Sequence, residues 1–283
     1  MSDLTCTLAA LGLHPLKSCG ALSPRAALLT ETGLDLDRAW MVVTPQGEML
    51  TQRQHPRMAL IRPTLKLSDV VLKAPGMLGL HLSLEAVETP TRVRVWGDIV
   101  KAWDMGALAA QWFSDFLGTP ARLVRFDPDE RRVADRQWTG EHEALTQFAD
   151  GFPLLVSSTA SLADLNQRLA AAGHAPVGHD RFRANLVLDG LSAFDEDHID
   201  ELEIDTDEGP VRLKFVKPCS RCEIPNVDPA TADSSAEPGT TLAGFRADAR
   251  VGGAITFGMN AIVLAGVGHT LRVGQAARAT LKF

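Results

Sequence analysis

Short apolar runs separated by turn residues recur along most of this chain, and their spacing predicts a β-rich fold. Short runs rich in apolar and β-branched residues, bounded by glycine or proline, are typical of strands. The predicted strands cover residues 7–11, 39–43, 93–100, 122–126, 154–157, 186–188, 211–216, 261–264 and 277–283. Many short strands with few helices favour a mixed α/β, β-rich architecture built from barrels over a doubly wound sheet.

Two segments carry helical periodicity instead. Residues 106–117 place Leu108, Trp112, Phe116 and Leu117 on one side, and residues 161–172 do the same with Leu162, Leu165 and Leu169. The polar stretch 127–150 lacks periodicity and predicts a junction between an N-terminal barrel-like domain (1–125) and a second barrel domain (126–283). Residues 68–90 and 228–248 are predicted to be long loops.

Charge and cysteine content narrow the functional classes. The net charge of −7 over 283 residues argues against a nucleic-acid-binding protein. No apolar stretch is long enough to span a membrane, so we expect no membrane partner. Four cysteines do not make a disulfide scaffold, and we expect a reducing, cytoplasmic setting.

The segment Lys-Pro-Cys-Ser-Arg-Cys at 217–222 is the strongest chemical signal. Flanking cations favour a thiolate, which is a nucleophile or a soft metal ligand. Pro218 is expected to end the preceding strand, so the cysteines should lie on a loop. A zinc site would need a second pair of ligands, and a thioredoxin-like helix is discouraged by Pro225. Two unreactive thiols on a loop remain an open alternative.

Three further clusters carry candidate anion-binding groups. Lys17 and Ser18 follow the first strand and suit a phosphate, although a solvated turn is the commoner outcome. Arg38 and Arg53 border apolar runs, where an ion pair is the usual fate of an arginine. Arg183 and Asn185 lie at the entry to a predicted strand, on one face, and suit a phosphate and a heterocycle edge.

Taken together, these segments resemble those of one family. The carrying motifs are HPLKSCG, DRAWMVV, TQRQHPRM, VWGD, FPLLVSSTASLADLN, RFRANLVLDG, KPCSRCEIPNVDPATA and LRVG, which extend over nearly the whole chain. The chain resembles MOSC-domain proteins that carry an N-terminal β-barrel domain, and within them the amidoxime-reducing components and their bacterial relatives.

That resemblance implies a pyranopterin molybdenum cofactor and an activity independent of pyridoxal phosphate. Cys222 matches the protein ligand to molybdenum. Lys17, Ser18 and Arg38 match positions that hold the phosphate and pterin, whereas Gly151 and Phe152 match a loop whose backbone approaches the cofactor. Further cofactor contacts are implied for Arg183, Asn185, Ser220 and Arg221.

Two departures from the family pattern affect these expectations. Animal relatives carry a Tyr after Phe-Gly-Gln, whereas this chain has Phe257-Gly258-Met259-Asn260, so Asn260 is the candidate for a hydrogen bond near the metal. Some bacterial relatives carry a ferredoxin-like domain with its own cysteines, and no cysteine follows Cys222 here. A separate flavoprotein or iron–sulfur protein would then supply electrons.

The resemblance implies a metal-binding oxidoreductase that reduces N-hydroxylated small molecules, namely amidoximes, hydroxylamines and N-hydroxylated bases. A sulfur or cofactor carrier with a persulfide on Cys222 is the first alternative. A thiol redox protein that uses Cys219 and Cys222 together is the second.

Overall fold

The structure is a computed structural model that describes residues 2–86 and 89–282. Its helices are α1 (Gly106–Leu117), α2 (Arg136–Thr139), α3 (Thr159–Ala171) and α4 (Gly239–Ala243). Its strands are β1 (Leu4–Leu11), β2 (Ala26–Thr30), β3 (Gly33–Leu34), β4 (Trp40–Val43), β5 (Arg62–Leu65), β6 (Asp69–Lys73), β7 (Leu80–Ser83), β8 (Thr89–Val95), β9 (Asp98–Asp104), β10 (Arg122–Phe126), β11 (Leu154–Ser158), β12 (Leu186–Asp189), β13 (Ile199–Thr206), β14 (Gly209–Ser220), β15 (Ala247–Asp248), β16 (Ala254–Ala265), β17 (Thr270–Arg272) and β18 (Ala276–Leu281).

The largest sheet closes into a barrel. Its strand order is β11-β12-β1-β18-β13-β14-β16, and pairing of β11 with β16 completes the ring, while β15 adds to the edge of β16. Strands β11 and β12 run parallel, and the other neighbours in the ring are antiparallel. Closure leaves the seven ring strands without a free edge. The prediction of a β-rich barrel fold is confirmed.

The barrel interior is filled by apolar side chains that alternate along the strands. On β14, Val211, Leu213 and Phe215 are fully buried, whereas Arg212 between them is exposed. Leu202 and Ile204 on β13 follow the same alternation. Successive side chains on a strand point to opposite faces, so this spacing directs one set into the core.

A second core lies in the N-terminal region. Strands β4, β10, β9 and β8 form a four-stranded sheet, with β5, β6 and β7 in a separate three-stranded sheet. Helix α1 packs against β10 and buries Trp112, Phe113 and Phe116. The helix ends at Gly118, whose φ of 70° is the left-handed conformation that glycine favours at helix ends.

Most elements match the sequence predictions, and the differences are local. Both predicted helices are confirmed as α1 and α3, although Leu108 is exposed and does not join the buried side of α1. The single strand predicted over 93–100 is instead the hairpin of β8 and β9, because Trp96 and Gly97 form a tight turn between paired Val95 and Asp98. The predicted strand 277–283 is β18, and Phe283 lies outside the described residues.

The loops predicted over 68–90 and 228–248 contain regular structure. Strands β6 and β7 occupy much of the first, because alternating residues such as Val70, Leu72, Leu80 and Leu82 are buried against α1 and its neighbours. Residues 87 and 88 of that prediction lie outside the described residues. The second segment contains α4 and β15, which are too short to show a period in the sequence.

Pro218 does not end its strand, contrary to the sequence prediction. Strand β14 continues to Ser220, with Pro218 opposite Met259 of β16. The register shifts on both sides, between Phe215 and Lys217 and again between Pro218 and Ser220. Bulges are the places within a sheet that tolerate a residue without an N–H group. The cysteine segment therefore begins on the end of a strand.

The N-terminal strand belongs to the barrel formed mainly by the C-terminal half. Strand β1 lies between β12 and β18, so residues that follow it are held beside the loop that precedes β12. The division into domains 1–125 and 126–283 stays a prediction. In the described part of the chain, no helix is long and apolar enough to cross a membrane.

We expect Phe215→Ala to destabilise the protein far more than Arg212→Ala on the same strand. Phe215 is fully buried in the barrel, and truncating a buried Phe costs about 3–5 kcal/mol through lost burial and the cavity left behind. Substitution of an exposed residue such as Arg212 changes the free energy of unfolding by no more than roughly 0.5 kcal/mol. Urea unfolding followed by circular dichroism measures both, and equal midpoints for the two variants would contradict a packed barrel interior.

Candidate cofactor site

One cavity is lined by every residue that the sequence analysis assigned to the site. It has a volume of about 820 Å³, open mouth included, between the segments flanking β4, the loops preceding β11 and β12, and the end of β14. The predicted residues lining it are Lys17, Ser18, Arg38, Gly151, Phe152, Arg183, Asn185, Ser220, Arg221, Cys222 and Asn260. The structure brings these residues together, and their roles in binding stay predictions.

The two cysteines at the end of β14 differ in their surroundings. Cys222 is exposed, whereas Cys219 is partly buried and receives a contact from Arg221, with Nη1 at 3.0 Å from Sγ. Lys217 lies over the Trp138 ring at 5.1 Å, as the other flanking cation. Of the two flanking cations, Arg221 is therefore the one that contacts a cysteine among the described residues, and that cysteine is Cys219.

Lys17 is buried, so the alternative of a solvated turn is wrong. Its Nζ donates to the carbonyl of Phe148 at 2.8 Å and to Oδ1 of Asp150 at 2.5 Å. Burial lowers the pKa of Lys17, and the Asp150 carboxylate opposes that shift. The same carboxylate also accepts from the indole N–H of Trp96 at 3.0 Å. The ammonium is therefore fixed at the cavity wall.

Arg38 forms the ion pair that its sequence context suggested. Its Nη1 contacts the carboxylate of Asp37, and Nη2 donates to the carbonyl of Arg183 at 3.1 Å. Asp37 is buried beside His14; desolvation would raise its pKa, but Arg38 and His14 together lower it to about 2. The backbone of Arg38 is left-handed, with a φ of 52°. Its guanidinium lines the cavity, and the ion pair with Asp37 holds it there.

Arg183 lies just before a strand, as predicted, but its direction does not follow the strand period that the sequence analysis used. It precedes β12 with a φ of 59°, so the turn sets its direction and the strand period does not apply. Its Nη1 donates to the carbonyl of Cys19 at 2.6 Å. Burial, with the nearby Arg38 cation, lowers the pKa of Arg183 to about 10.

Asn185 is buried and joins three strands. Its Oδ1 accepts from the backbone N–H of Leu155 at 3.0 Å, and its Nδ2 donates to the carbonyl of Gly12 at 3.2 Å. An amide side chain has two donor and two acceptor positions. Among the residues that the structure describes, one donor and one acceptor position of Asn185 have no side-chain hydrogen-bond partner.

The remaining predicted residues contribute mainly backbone and small polar groups. A Cβ added at Gly151 would meet nothing within 4 Å, so the backbone there faces open space. Ser18 is buried with a φ of 64°. Asn260 donates to the carbonyl of Lys217 at 3.3 Å, which ties β16 to β14 at the cavity.

Several lining residues were not assigned to the cofactor site from sequence, although Arg53 was a candidate anion-binding group and Cys219 belonged to the alternative dithiol pair. They are Thr51, Arg53, Trp96, Ala149, Asp150, Leu154, Leu155, Phe182, Cys219 and Ile224. Trp96 and Asp150 matter most, because both contact the Lys17 group. Trp96 lies in the segment VWGD and Asp150 directly precedes Gly151, but neither position has a sequence spacing that identifies a binding site.

The donor set fits the cofactor that the family resemblance implies. The cations Lys17, Arg38, Arg183 and Arg221 line one cavity with the exposed Cys222 thiol. The Nε atom of Arg221 is buried without a hydrogen-bond partner in the described residues. Buried polar groups normally have partners, and an orphaned guanidinium donor beside a thiol suits an anionic ligand with a soft metal.

Comparisons with known proteins agree with this architecture. The chain matches the MOSC N-terminal beta barrel domain over residues 5–120 and the MOSC domain over residues 144–278. Mitochondrial amidoxime reducing component 2 of Bos taurus is 37% identical over 250 residues, covering 85% of this chain and 72% of that protein. Mitochondrial amidoxime-reducing component 1 of Homo sapiens is 38% identical over 253 residues, with the same two coverages of 85% and 72%.

A further relative shares the domains within a longer protein. Molybdenum cofactor sulfurase of Homo sapiens is 32% identical over 241 residues, which cover 78% of this chain but 26% of that protein. The closed barrel and the two matched domains thus define a MOSC-domain protein. Within that class, the chain belongs to the family that includes the mitochondrial amidoxime-reducing components, and the resemblance predicted from sequence is confirmed.

Acid is expected to weaken the fold through His14, which is buried behind the Arg38 ion pair. Burial lowers the pKa of His14 from 6.5 to about 3. Between pH 6.5 and pH 3, His14 is therefore protonated in the unfolded chain but neutral in the folded protein. The free energy of unfolding is highest above pH 6.5 and falls as the pH drops toward 3. The slope reaches about 1.4 kcal/mol per pH unit for one such group.

Urea unfolding between pH 7 and pH 4 measures this effect. We expect His14→Gln to reduce the slope, with a remainder from His179, whose pKa burial lowers to about 4. His81 is exposed, and His81→Gln is the matched control that should keep the wild-type slope. A His14→Gln variant as steep as the wild type would contradict a neutral, buried His14.

Proposed function

We propose that this protein is a molybdenum cofactor-dependent reductase of N-hydroxylated compounds. Its substrates would be amidoximes, hydroxylamines and N-hydroxylated bases, with electrons from a separate flavoprotein or iron–sulfur protein. The observation that carries the proposal is the common cavity, which Cys222 shares with Lys17, Arg38 and Arg183. A thiolate beside several cations suits a metal with sulfur ligands that is tethered to a phosphate.

Each group would contribute by its own chemistry. Lys17, Ser18 and Arg38 would bind the phosphate, the ammonium as a point charge and the guanidinium as a planar fork. Arg183 and Asn185 would contact the pterin. In the same proposal the open backbone at Gly151 and Phe152, with Ser220, Arg221 and Asn260, would complete the enclosure.

Cys222 would supply the protein's ligand to the metal. Its side chain is exposed to the cavity and has no competing partner such as the one Arg221 gives Cys219 among the described residues. When bound, the molybdenum centre supplies the two-electron chemistry. The protein then orients the substrate and holds the surrounding charges in place.

The proposed reaction needs only the substrate, two protons and two electrons from the redox partner. The N–O bond of the substrate breaks, two electrons and two protons are consumed, and the oxygen leaves as water. An amidoxime would yield the amidine. Both electrons come from the redox partner, so the partner's flavin or iron–sulfur cluster is oxidised as the substrate is reduced.

A carrier of sulfur or of the cofactor is the second candidate. It is favoured by the exposure of Cys222, which would let this thiol take the outer sulfur of a donor persulfide, with release of the donor's thiol, and pass it on in the same way. The relative named molybdenum cofactor sulfurase also favours it. A carrier need not hold molybdenum in a fixed ratio, nor reduce any N-hydroxylated compound. In either case we propose a cytoplasmic location, whereas the names of the amidoxime-reducing relatives place those proteins in mitochondria.

The proposal predicts unequal effects of Cys222→Ser and Cys219→Ser. In protein from a cofactor-competent host, we expect stoichiometric molybdenum and reduction of benzamidoxime with a reduced viologen dye as donor. Losing an outer partner of a metal ligand costs about 10–100-fold, so Cys222→Ser should lose more than roughly 100-fold in activity. Cys219→Ser should lose less than about tenfold, because it removes only a neighbour of the ligand.

Elemental analysis and turnover together separate the candidates. Equal losses in the two variants would favour a dithiol redox pair. Wild-type protein with little molybdenum and no turnover, despite a competent host, would favour the carrier.

A further inference from the structure

Arg53 is the one arginine or lysine lining the cavity whose charged group has no acceptor among the described residues. Lys17 is paired with Asp150, and Arg38 with Asp37. Arg183 and Arg221 donate to the carbonyls of Cys19 and Phe182, respectively. The guanidinium of Arg53 makes neither a hydrogen bond nor an ion pair within residues 2–86 and 89–282.

Arg53 is nevertheless held in one place. Its Cζ atom lies 4.6 Å from the centre of the Trp96 ring, within the range of a cation–π contact. Trp96 in turn is fixed by its indole N–H, which donates to Asp150 at 3.0 Å. Both Arg53 and Trp96 line the cavity. The guanidinium is therefore oriented before any ligand arrives.

The turn that presents Trp96 is strained. Trp96 is the first of two residues between β8 and β9, and its φ of 55° lies in the region that favours glycine. Gly97 occupies the second position, where the chain does not need a positive φ. A non-glycine residue in this conformation is strained, and it persists where the surrounding contacts require it. Here those contacts are the ring against Arg53 and the bond to Asp150.

We propose that Arg53, held against Trp96, is a specificity-determining residue that binds a carboxylate on the substrate. This inference rests on the proposed reductase function and adds to it a preference for N-hydroxylated compounds that carry a carboxylate. A planar guanidinium with free donors matches the two oxygens of a carboxylate. Because Trp96 already restricts the side chain, little further ordering is needed on binding.

The matched substrates for the test are benzamidoxime and 4-carboxybenzamidoxime, which differ only in the carboxylate. Wild-type protein should show the higher kcat/KM with the carboxylate compound. In Arg53→Gln the ratio of the two kcat/KM values should fall roughly tenfold, as expected for a hydrogen bond to a charged group of about 1.4 kcal/mol. Arg53→Lys should lose part of the ratio, since it keeps the charge without the planar fork.

Binding of the reaction products gives a readout without turnover. Calorimetric titration of benzamidine and 4-carboxybenzamidine should show the same loss of discrimination in Arg53→Gln. Arg57 is the matched control, because it also stacks on an aromatic ring, that of Phe116 at 4.7 Å, but does not line the cavity. Arg57→Gln should keep the wild-type ratios.

The outcomes separate this inference from the function on which it rests. If molybdenum-loaded wild type reduces neither compound, the reductase proposal fails. If both compounds are reduced and Arg53→Gln keeps the wild-type ratio, the carboxylate subsite is wrong. Loss of molybdenum from Arg53→Gln would instead assign Arg53 to the cofactor and would also overturn the subsite.

Discussion

The position of Asn185 is the constraint on which the cavity depends. Its backbone bonds Gly12 and Leu155, and its side chain bonds the same two residues again. Gly12 must be glycine for this approach, since an added Cβ would lie 2.1 Å from the carbonyl oxygen of Ala184. The end of the first strand is thereby fixed to the start of β11 and to the turn before β12. Together with the pairing of β1 and β12, this junction places the Lys17 segment, which follows the first strand, against the Arg183 turn.

The cavity concentrates positive charge in a protein whose net charge is −7. The cations are kept apart by separate acceptors: carboxylates for Lys17 and Arg38, and backbone carbonyls for Arg183 and Arg221. Backbone carbonyls carry only partial charge and do not neutralise a guanidinium. The wall therefore keeps a positive potential that attracts anions into the opening.

Sequence patterns predicted the fold well where burial follows a simple period. Helix α1 and strand β10 appear at their predicted bounds because their apolar spacing matches one regular structure. The failures have local causes: bulges that let β14 continue past Pro218, and a two-residue turn at Trp96 that divides one apolar run. Arg183 was expected to follow the strand period at the entry to β12, because a positive φ at a non-glycine residue leaves no mark in composition.

Periodicity and charge could not predict which residues form the site. These two signals identified candidate binding residues separately, and only the resemblance to a family indicated that the residues belong to one site. Arg53 shows the difference: sequence alone could not say whether a carboxylate lay nearby, because that depends on how distant segments pack. Asp150 was unassigned for the same reason, since its partner Lys17 is 133 residues away.

The placement of the cavity links ligand binding to the cohesion of the molecule. Lys17 and Arg38 come from the first part of the chain, and Arg221 from the last, so an anion held by all three would be a non-covalent cross-link between remote segments. Repulsion among the buried cations destabilises the folded protein, and a bound anion would relieve that repulsion. A ligand that binds the folded state alone also shifts the unfolding equilibrium in its favour. Incorporation of an anionic cofactor would thus act as a late step of folding, and unloaded molecules would be the more vulnerable to degradation.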